Sequence, residues 1–318
     1  MVKSDILINK YLLMNRFLGW CLITFLISFL VNNILNLAFK LPHAINLFTN
    51  GDLLSIIPIS VYCLSFFISF YISLILSKKS LTWDAENLHN FNLYFIRSCF
   101  WAVFLIGTID VMISFMRVED ISNLIFDDEL VRLLKKPSFV CTYIHMPLVL
   151  LSFFIGYFSK TLGFTWLALM IVCAELIIVI TRFVFSYEQS FMGDLVRYWY
   201  AALFLFASAY TLFEDGHVRV DVFYTNLKEK TKSIVNAAGS MFLGISTCLA
   251  ILFVGLNGKQ SIINSPILNF EVTQTGSVGM FVKYQLAAFL GVFAISMLVQ
   301  FVSYYFSSLS KMNELKES

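Results

Sequence analysis

The densest group of chemically active side chains lies in the run FEDGHVRVDVFY, which contains His217, Arg219 and Asp221. If this run is helical, His217 and Asp221 lie one turn apart on the same face. A catalytic histidine needs a nucleophile beside it, and the nearest hydroxyls, Thr211 and Thr225, stand at no spacing typical of such a pair. We therefore interpret the run as a charge cluster at a membrane surface, and we predict no catalytic residue.

Cysteine and histidine are scattered along the chain. The six cysteines form no CxxC pair, and the four histidines form no HExxH motif. Metal and redox sites need such residues at close spacing, so we predict no metal and no cofactor and interpret each cysteine as a small buried hydrophobic residue. The chain also lacks the GxxxxGK[ST] loop that binds ATP phosphates. Any transport that it serves is expected to draw its energy from elsewhere.

Three charged residues interrupt long apolar runs: Asp110, Glu175 and Arg182. A charge at the centre of a bilayer costs at least about 2.5–3.5 kcal/mol, so each needs a partner. Glu175 and Arg182 are two helical turns apart on one face, which favours an intersubunit or intrahelix hydrogen bond; a place on an ion path is the alternative. Asp110 would meet Arg97 only if that side chain reached across several turns, so its partner is open.

The composition indicates that the helices carrying these side chains lie in a membrane. Of the 318 residues, 59% are apolar and only 13% are charged, against about 25% charged in soluble domains. A helix spans the hydrocarbon core with about 20 apolar residues. The apolar runs predict eight spans, of which the last named is short: Phe17 to Phe39, Leu53 to Leu76, Phe91 to Met116, Phe164 to Phe185, Tyr198 to Phe213, Ile234 to Leu256, Val282 to Phe306 and Tyr143 to Phe158.

The predicted fold is an all-α, polytopic membrane helical bundle of about eight transmembrane helices plus one interfacial amphipathic helix. Lys and Arg in the loops favour a cytoplasmic N-terminus, which places the run around His217 on the cytoplasmic side. After Gly216, apolar residues alternate with charged ones up to Lys232, which predicts a helix lying flat against membrane lipid. The net charge of +2 argues neither for nor against a nucleic-acid partner, but no basic stripe stands out from the loops, so we predict none.

Three segments, in order, resemble the small membrane subunit of TRAP transporters, the tripartite ATP-independent periplasmic carriers, and most closely their mannitol/chloroaromatic branch. GHVRVDVFY is similar to the signature of this family. Upstream and downstream, the segments TRFVFSYEQSFMGDLVRYWY and NFEVTQTGSVGMFVKYQL, with a late glutamine, are also similar. The positions that carry the resemblance there are Arg182, Phe183, Asp194, Arg197, Tyr198, Glu271, Gly276, Gly279, Lys283 and Gln300.

The resemblance covers about residues 160–308, or four helices, and implies a division of labour. In this family a periplasmic solute-binding protein captures the solute, and a large membrane subunit carries the solute and coupling-ion sites. The small subunit braces the large one in the bacterial inner membrane. We accordingly predict an N-terminal membrane region of about four helices without an assigned role (1–158), a small-subunit-like four-helix membrane domain (159–310) and a cytoplasmic tail (311–318). A proline common in the family before the last helix is missing, since Ser277 and Val278 stand there.

The resemblance implies structural or partner-contact roles for the matching residues. Arg182, Asp194 and Arg197 are expected to hold the turn between the first two family helices. The cluster His217, Arg219 and Asp221 is expected to anchor the flat helix at the cytoplasmic surface. The other residues with a predicted structural or partner-contact role are Tyr198, Glu271, Lys283 and Gln300. Two alternatives stay open: a self-sufficient membrane channel or carrier, and a membrane-embedded enzyme.

Overall fold

A computed structural model describes residues 2–161, 163–214, 224–273 and 276–317, and within these ranges the chain is helical, without β-strands. The α-helices are α1 (Val2–Phe39), α2 (Asn46–Asn50), α3 (Ile56–Ile75), α4 (Leu81–Val118), α5 (Ser122–Ile125), α6 (Asp128–Leu134), α7 (Pro137–Val140), α8 (Met146–Phe158), α9 (Phe164–Phe185), α10 (Ser190–Phe213), α11 (Glu229–Gly239), α12 (Ser246–Gly255), α13 (Asn264–Leu268) and α14 (Lys283–Glu317). The segments Cys141–His145 and Ser240–Ile245 are π-helical, and 3₁₀ turns cover Leu53–Ser55, Leu76–Lys78 and Gly276–Val278.

In the described part of the chain, seven helical segments are long and apolar enough to cross a membrane: Tyr11–Phe39, Leu53–Lys78, Leu81–Val118, Pro137–Phe158, Phe164–Phe185, Glu229–Gly255 and Lys283–Glu314. The predicted all-helical, multi-pass membrane fold is therefore confirmed, whereas the count of eight spans is not. The short run from Tyr143 to Phe158 does belong to a candidate span. The run from Tyr198 to Phe213 lies in α10, which is not among the seven; Asp194 and Arg197 make the first turns of this helix polar.

The chain divides into two compact units. Unit 1 comprises the described residues of 1–90, 217–259 and 297–318, and unit 2 comprises those of 91–216 and 260–296. Each unit contains residues from both sides of position 158, where we had predicted a domain boundary. The long helices α4 and α14 each contribute residues to both units.

In unit 1, α1 and α3 pack against each other as a hairpin. The face of α3 that is buried presents serines at every fourth position, Ser65, Ser69 and Ser73. Small side chains at this spacing let two membrane helices approach closely, because little volume separates the backbones. The amide of Asn32 on α1 donates to the carbonyl of Pro58 on α3 at 3.1 Å, which adds a polar contact to the hairpin.

In unit 2, α9 and α10 form a second hairpin. Ser186 ends α9 in the left-handed conformation (φ 50°), and the Tyr187 N–H bonds back to the Thr181 carbonyl at 2.9 Å, so the chain reverses within a few residues. Close packing of α4 against α10 depends on Gly107. A Cβ atom there would lie 2.3 Å from Trp199 Nε1, and that nitrogen donates to the Val103 carbonyl at 3.2 Å.

Two sequence-based expectations need correction. Cys63 and Cys173 are exposed and Cys21 is half-buried, so burial was wrong for these three; a lipid-facing position suits an apolar thiol as well as a core position does. The predicted flat helix after Gly216 is also not found where the structure describes that segment. Residues 224–227 form turns, and Lys228 is the N-cap of α11, which belongs to the candidate span Glu229–Gly255. The remaining residues, 215–223, lie outside the described residues.

Candidate functional site

Two buried acids from different helices bind consecutive backbone N–H groups just before α14. Asp110 of α4 accepts the Phe281 N–H at 2.7 Å, and Asp194 of α10 accepts the Met280 N–H at 3.1 Å. The Thr273 hydroxyl also donates to Asp194, at 2.9 Å. Buried backbone N–H groups outside a helix need an acceptor, and a carboxylate is a strong one. Both acids therefore fasten other helices to the segment that leads into α14.

Asp110 faces a histidine as well as this backbone. His145 Nε2 lies 3.3 Å from Asp110 Oδ1, and both side chains are fully buried. This is ion-pair distance, but within the described residues neither atom makes a well-oriented hydrogen bond. His145 ends the π-helical segment Cys141–His145. Pro147 explains the distortion, because proline has no N–H for the carbonyl one turn earlier and its ring crowds that carbonyl.

Beyond His145, hydrogen bonds continue through three more side chains. The Tyr284 hydroxyl lies 3.0 Å from His145 Nδ1, and the Gln285 amide donates to the Tyr284 oxygen at 2.8 Å. Tyr198 in turn donates to Gln285 Oε1. We call this series of side chains, from Asp110 through His145, Tyr284 and Gln285 to Tyr198, the buried relay. It joins four helical segments of unit 2 by polar side chains alone.

The surroundings of the buried relay are mostly apolar. Ile113, Leu134, Val140 and Phe281 pack in one cluster with Tyr284, so the local dielectric constant is low and charges interact strongly. A cation on the same helix as Asp110, Arg117 of α4, donates to the Gly279 carbonyl and stacks its guanidinium 4.1 Å from the centre of the Phe281 ring. This arrangement places a positive charge on the same segment whose N–H group binds Asp110.

A surface ion pair lies beside this buried group. Lys283 Nζ is 2.9 Å from Glu271 Oε2, with both side chains partly exposed, and the Glu271 carbonyl accepts the Tyr284 N–H at 3.1 Å. The pair lines an open depression of about 550 Å³ together with Pro137, Ser138, Asn269, Phe270 and Val272. The Phe270 ring lies 5.9 Å from the Tyr284 ring, so the floor of the depression borders the buried relay.

The order carboxylate, imidazole and hydroxyl is also found in nucleophilic catalysis. Here the hydroxyl belongs to Tyr284, which is 2% exposed. A substrate cannot reach an oxygen that is enclosed in this way. What the arrangement can do chemically is hold a charge inside the membrane and move a proton along hydrogen bonds.

The structure brings together several residues that we singled out in the sequence. Asp194 and Arg197 lie 3.7 Å apart, Glu271 pairs with Lys283, and Tyr198 ends the buried relay. Arg182 lies instead near the exposed Glu188, at 3.9 Å, and not at Asp194. It also makes no pair with Glu175, which lies exposed in the middle of α9.

The remaining predicted residues lie elsewhere. Gln300 belongs to unit 1, where its amide oxygen is 3.1 Å from His89 Nδ1. His217, Arg219 and Asp221 lie outside the described residues. Arg97, the partner that we had considered for Asp110, donates to the carbonyls at the end of α8, including that of Ser159 at 2.6 Å.

His145, Tyr284 and Gln285 are the functional candidates that the sequence analysis missed. His145 was set aside because no second histidine or cysteine stands at ligand spacing. The available signal was different: an ionisable residue inside an apolar run, next to a proline, in a chain that already had an unpaired Asp110. Intramembrane ionisable residues of this kind tend to pair with one another.

Part of the chain matches the model of a known protein family. Residues 168–306 match the model of the family described as tripartite ATP-independent periplasmic transporters, DctQ component. No curated protein and no solved structure gives a significant match. The matched range includes Asp194, Tyr198, Glu271 and the first part of α14, whereas Asp110 and His145 precede it. Residues 168–306 are thus similar to the DctQ component of TRAP transporters, and they lie within a longer multi-pass membrane chain.

Proposed function

We propose that this chain is the small, non-catalytic membrane subunit of a TRAP-type solute importer in the bacterial inner membrane. In this proposal it braces a large membrane subunit, which carries the solute and coupling-ion sites, and a periplasmic solute-binding protein delivers the solute. The match over residues 168–306 supports the transporter family. The closer likeness to the mannitol/chloroaromatic branch stays a prediction.

The observation that carries the bracing role is the position of Glu175. It is exposed on α9 with ten or more helical residues on each side, so it lies near the middle of a candidate span. Its nearest possible cation on the same face, Arg182, lies near Glu188 instead. A carboxylate left in lipid at this depth costs at least about 2.5 kcal/mol. A polar or basic side chain from a second membrane protein would remove that cost.

The surface around Glu175 has the form of a helix-packing face. Val172, Leu176, Val179 and Phe183 are all exposed and follow the three- and four-residue spacing of one helical stripe. We call these four residues and Glu175 the α9 outer face. It combines apolar bulk with one polar group, which suits helix packing against a protein better than contact with lipid.

The test is co-purification from native membranes. A tag placed after Ser318 and extraction in mild detergent should recover a much larger polytopic protein in near-equal amount, identified by mass spectrometry. We expect Glu175→Leu to lower this recovery about tenfold or more, as the loss of about 1.4 kcal/mol of binding free energy would. Glu175→Leu should leave the amount of folded small subunit unchanged, because leucine is well tolerated in a span.

A matched control exists on α3, whose candidate span is buried to the same low share, 17%, as that of α9. Tyr71 of α3 is 65% exposed, so Tyr71→Leu also replaces a polar group on an exposed membrane face. It should leave the large partner bound. Recovery of the chain alone from native membranes, or solute uptake by this chain alone in liposomes, would contradict the bracing role.

A further inference from the structure

The hydrogen bonds of the buried relay have a defined direction. Gln285 fixes it, because an amide oxygen only accepts and an amide nitrogen only donates. Tyr198 donates to Gln285 Oε1, and Gln285 Nε2 donates to Tyr284. The single Tyr284 hydrogen can then point either to the Cys141 thiol or to His145 Nδ1, which lies 3.0 Å away. Gln285 Nε2 also lies 3.4 Å from that nitrogen, which agrees with Nδ1 acting as an acceptor.

This direction sets the protonation state at the far end. A neutral histidine whose Nδ1 accepts carries its hydrogen on Nε2, and Nε2 faces Asp110 Oδ1 at 3.3 Å. The other carboxylate oxygen accepts the Phe281 N–H. In this arrangement every donor in the buried relay points towards Asp110, whose Oδ1 lies within ion-pair distance of His145 Nε2.

The same five side chains have a second arrangement that holds one more proton. If the Gln285 amide group rotates by 180°, its nitrogen donates to Tyr198 and its oxygen accepts from Tyr284. Tyr284 then accepts from a hydrogen on His145 Nδ1, and His145 Nε2 accepts from a protonated Asp110. Each of the four contacts then has one hydrogen between its two atoms, one proton has been added to the carboxylate, and the Tyr198 hydroxyl hydrogen turns away from Gln285.

We propose that Asp110 is a proton-binding site inside the membrane and that uptake of one proton from water reverses the buried relay. In this step an O–H bond forms at Asp110 Oδ1, the His145 hydrogen moves from Nε2 to Nδ1, and the net charge rises by one. The proton is the only ligand. The depression beside Lys283 and Phe270 lies next to Tyr284, whose ring is 5.9 Å from the Phe270 ring.

Several charged or titratable groups surround the pair of Asp110 and His145. Asp110 interacts electrostatically with Arg117 on its own helix, with Cys141 of the π-helical segment, with Tyr198 of α10 and with Tyr284 of α14. Asp194 binds the neighbouring N–H group at Met280. The inference does not depend on a large subunit.

The first test is pH-difference infrared spectroscopy of the full chain in lipid. We expect the C=O stretching band of a protonated carboxylic acid to appear on acidification and to be absent in Asp110→Asn. Glu175→Gln is the control, since it removes the carboxyl group from α9 and should leave the band that we assign to Asp110. Identical spectra for the wild-type chain and Asp110→Asn would overturn the proposal.

The second test follows the histidine in the wild-type chain, so it does not rely on a variant that might fold poorly. With ¹⁵N-labelled histidine, the His145 signal, identified by its loss in His145→Gln, should change from the Nε2–H to the Nδ1–H tautomer as the carboxylic acid band appears. Tyr284→Phe should uncouple the two changes, whereas Tyr305→Phe, which removes another buried hydroxyl, bonded to Asn15, should not. Direct conversion of His145 to imidazolium, with Asp110 still ionised, would refute the reversal.

Discussion

Helix α4 carries two fully buried aspartates that are stabilised in different ways. Asp84 accepts from Arg16 Nε at 2.8 Å and from Trp20 Nε1 at 3.1 Å, and Arg16 also donates to the Lys79 carbonyl. Asp110 accepts one backbone N–H group and faces His145, and among the described residues no Lys or Arg side chain forms an ion pair with it. Both residues are 0% exposed.

The difference lies in what each partner can do. A guanidinium can only donate hydrogen bonds, so the Arg16–Asp84 pair has one hydrogen-bonded arrangement, which links α1 to α4. Imidazole, amide and hydroxyl groups can exchange donor and acceptor roles. The Asp110 environment can therefore exist in two hydrogen-bonded states. Equal burial thus produces a fixed clamp at one aspartate and an adjustable site at the other.

The largest effect is expected from Arg16→Ala. It leaves Asp84 buried without its cation, and removing one partner of a buried pair costs about 3–5 kcal/mol. The loss should appear in the free energy of unfolding, measured by reversible unfolding in mixed micelles. The control is Arg182→Ala, because the exposed pair with Glu188 should contribute about 1 kcal/mol or less. Equal losses at the two arginines would remove the distinction between clamp and surface pair.

The same substitution at the two aspartates sharpens the comparison. Asp110→Asn keeps an oxygen for the Phe281 N–H and loses mainly the strength of a bond to a charged acceptor, about 2–3 kcal/mol. Asp84→Asn strands the Arg16 guanidinium and should cost about 3–5 kcal/mol. We would measure both in one unfolding series. A larger loss at Asp110 than at Asp84 would show that Asp110 is also a fixed clamp.

Most of the helices could be predicted from sequence, because each apolar run must satisfy its backbone hydrogen bonds internally. The number of membrane spans was predicted less well than the positions of the helices. The short run after His145 reaches the length of a candidate span only when α7 and the π-helical segment are added to it. In α10, by contrast, Asp194 and Arg197 replace apolar residues in the first turns.

The candidate site was predictable only in part. The resemblance pointed to Asp194, Tyr198, Glu271 and Lys283, and all four lie near the start of α14. It could not supply Asp110 or His145, which precede the matched range. The contact between Asp110 and the Phe281 backbone joins groups 171 positions apart, and no local spacing reports a contact of that kind.

A smaller effect is expected from the packing beside Asp110. Gly107 lies one turn before Asp110 on α4, and Gly107→Ala would push the new methyl group into Trp199. Overpacking of this kind costs about 1–2 kcal/mol. Gly193→Ala in α10 is the control, because nothing lies within 4 Å of the added atom, and it should stabilise by up to about 1 kcal/mol. If Gly107→Ala left the free energy of unfolding unchanged, the packing of α4 against Trp199 beside Asp110 would be looser than the contacts indicate.

The smallest effect is expected at the Glu271–Lys283 pair, although both residues carry the family resemblance. Lys283 and Glu271 are partly exposed, so solvent screens their attraction and the pair should contribute about 1 kcal/mol or less. The loop is also held by the Glu271 carbonyl, which binds the Tyr284 N–H and survives any change of side chain. A double-mutant cycle with Lys283→Met and Glu271→Gln, run at low and at high salt, would measure the coupling free energy. A coupling of several kcal/mol that resisted salt would place this pair with the Arg16–Asp84 clamp and not at the surface.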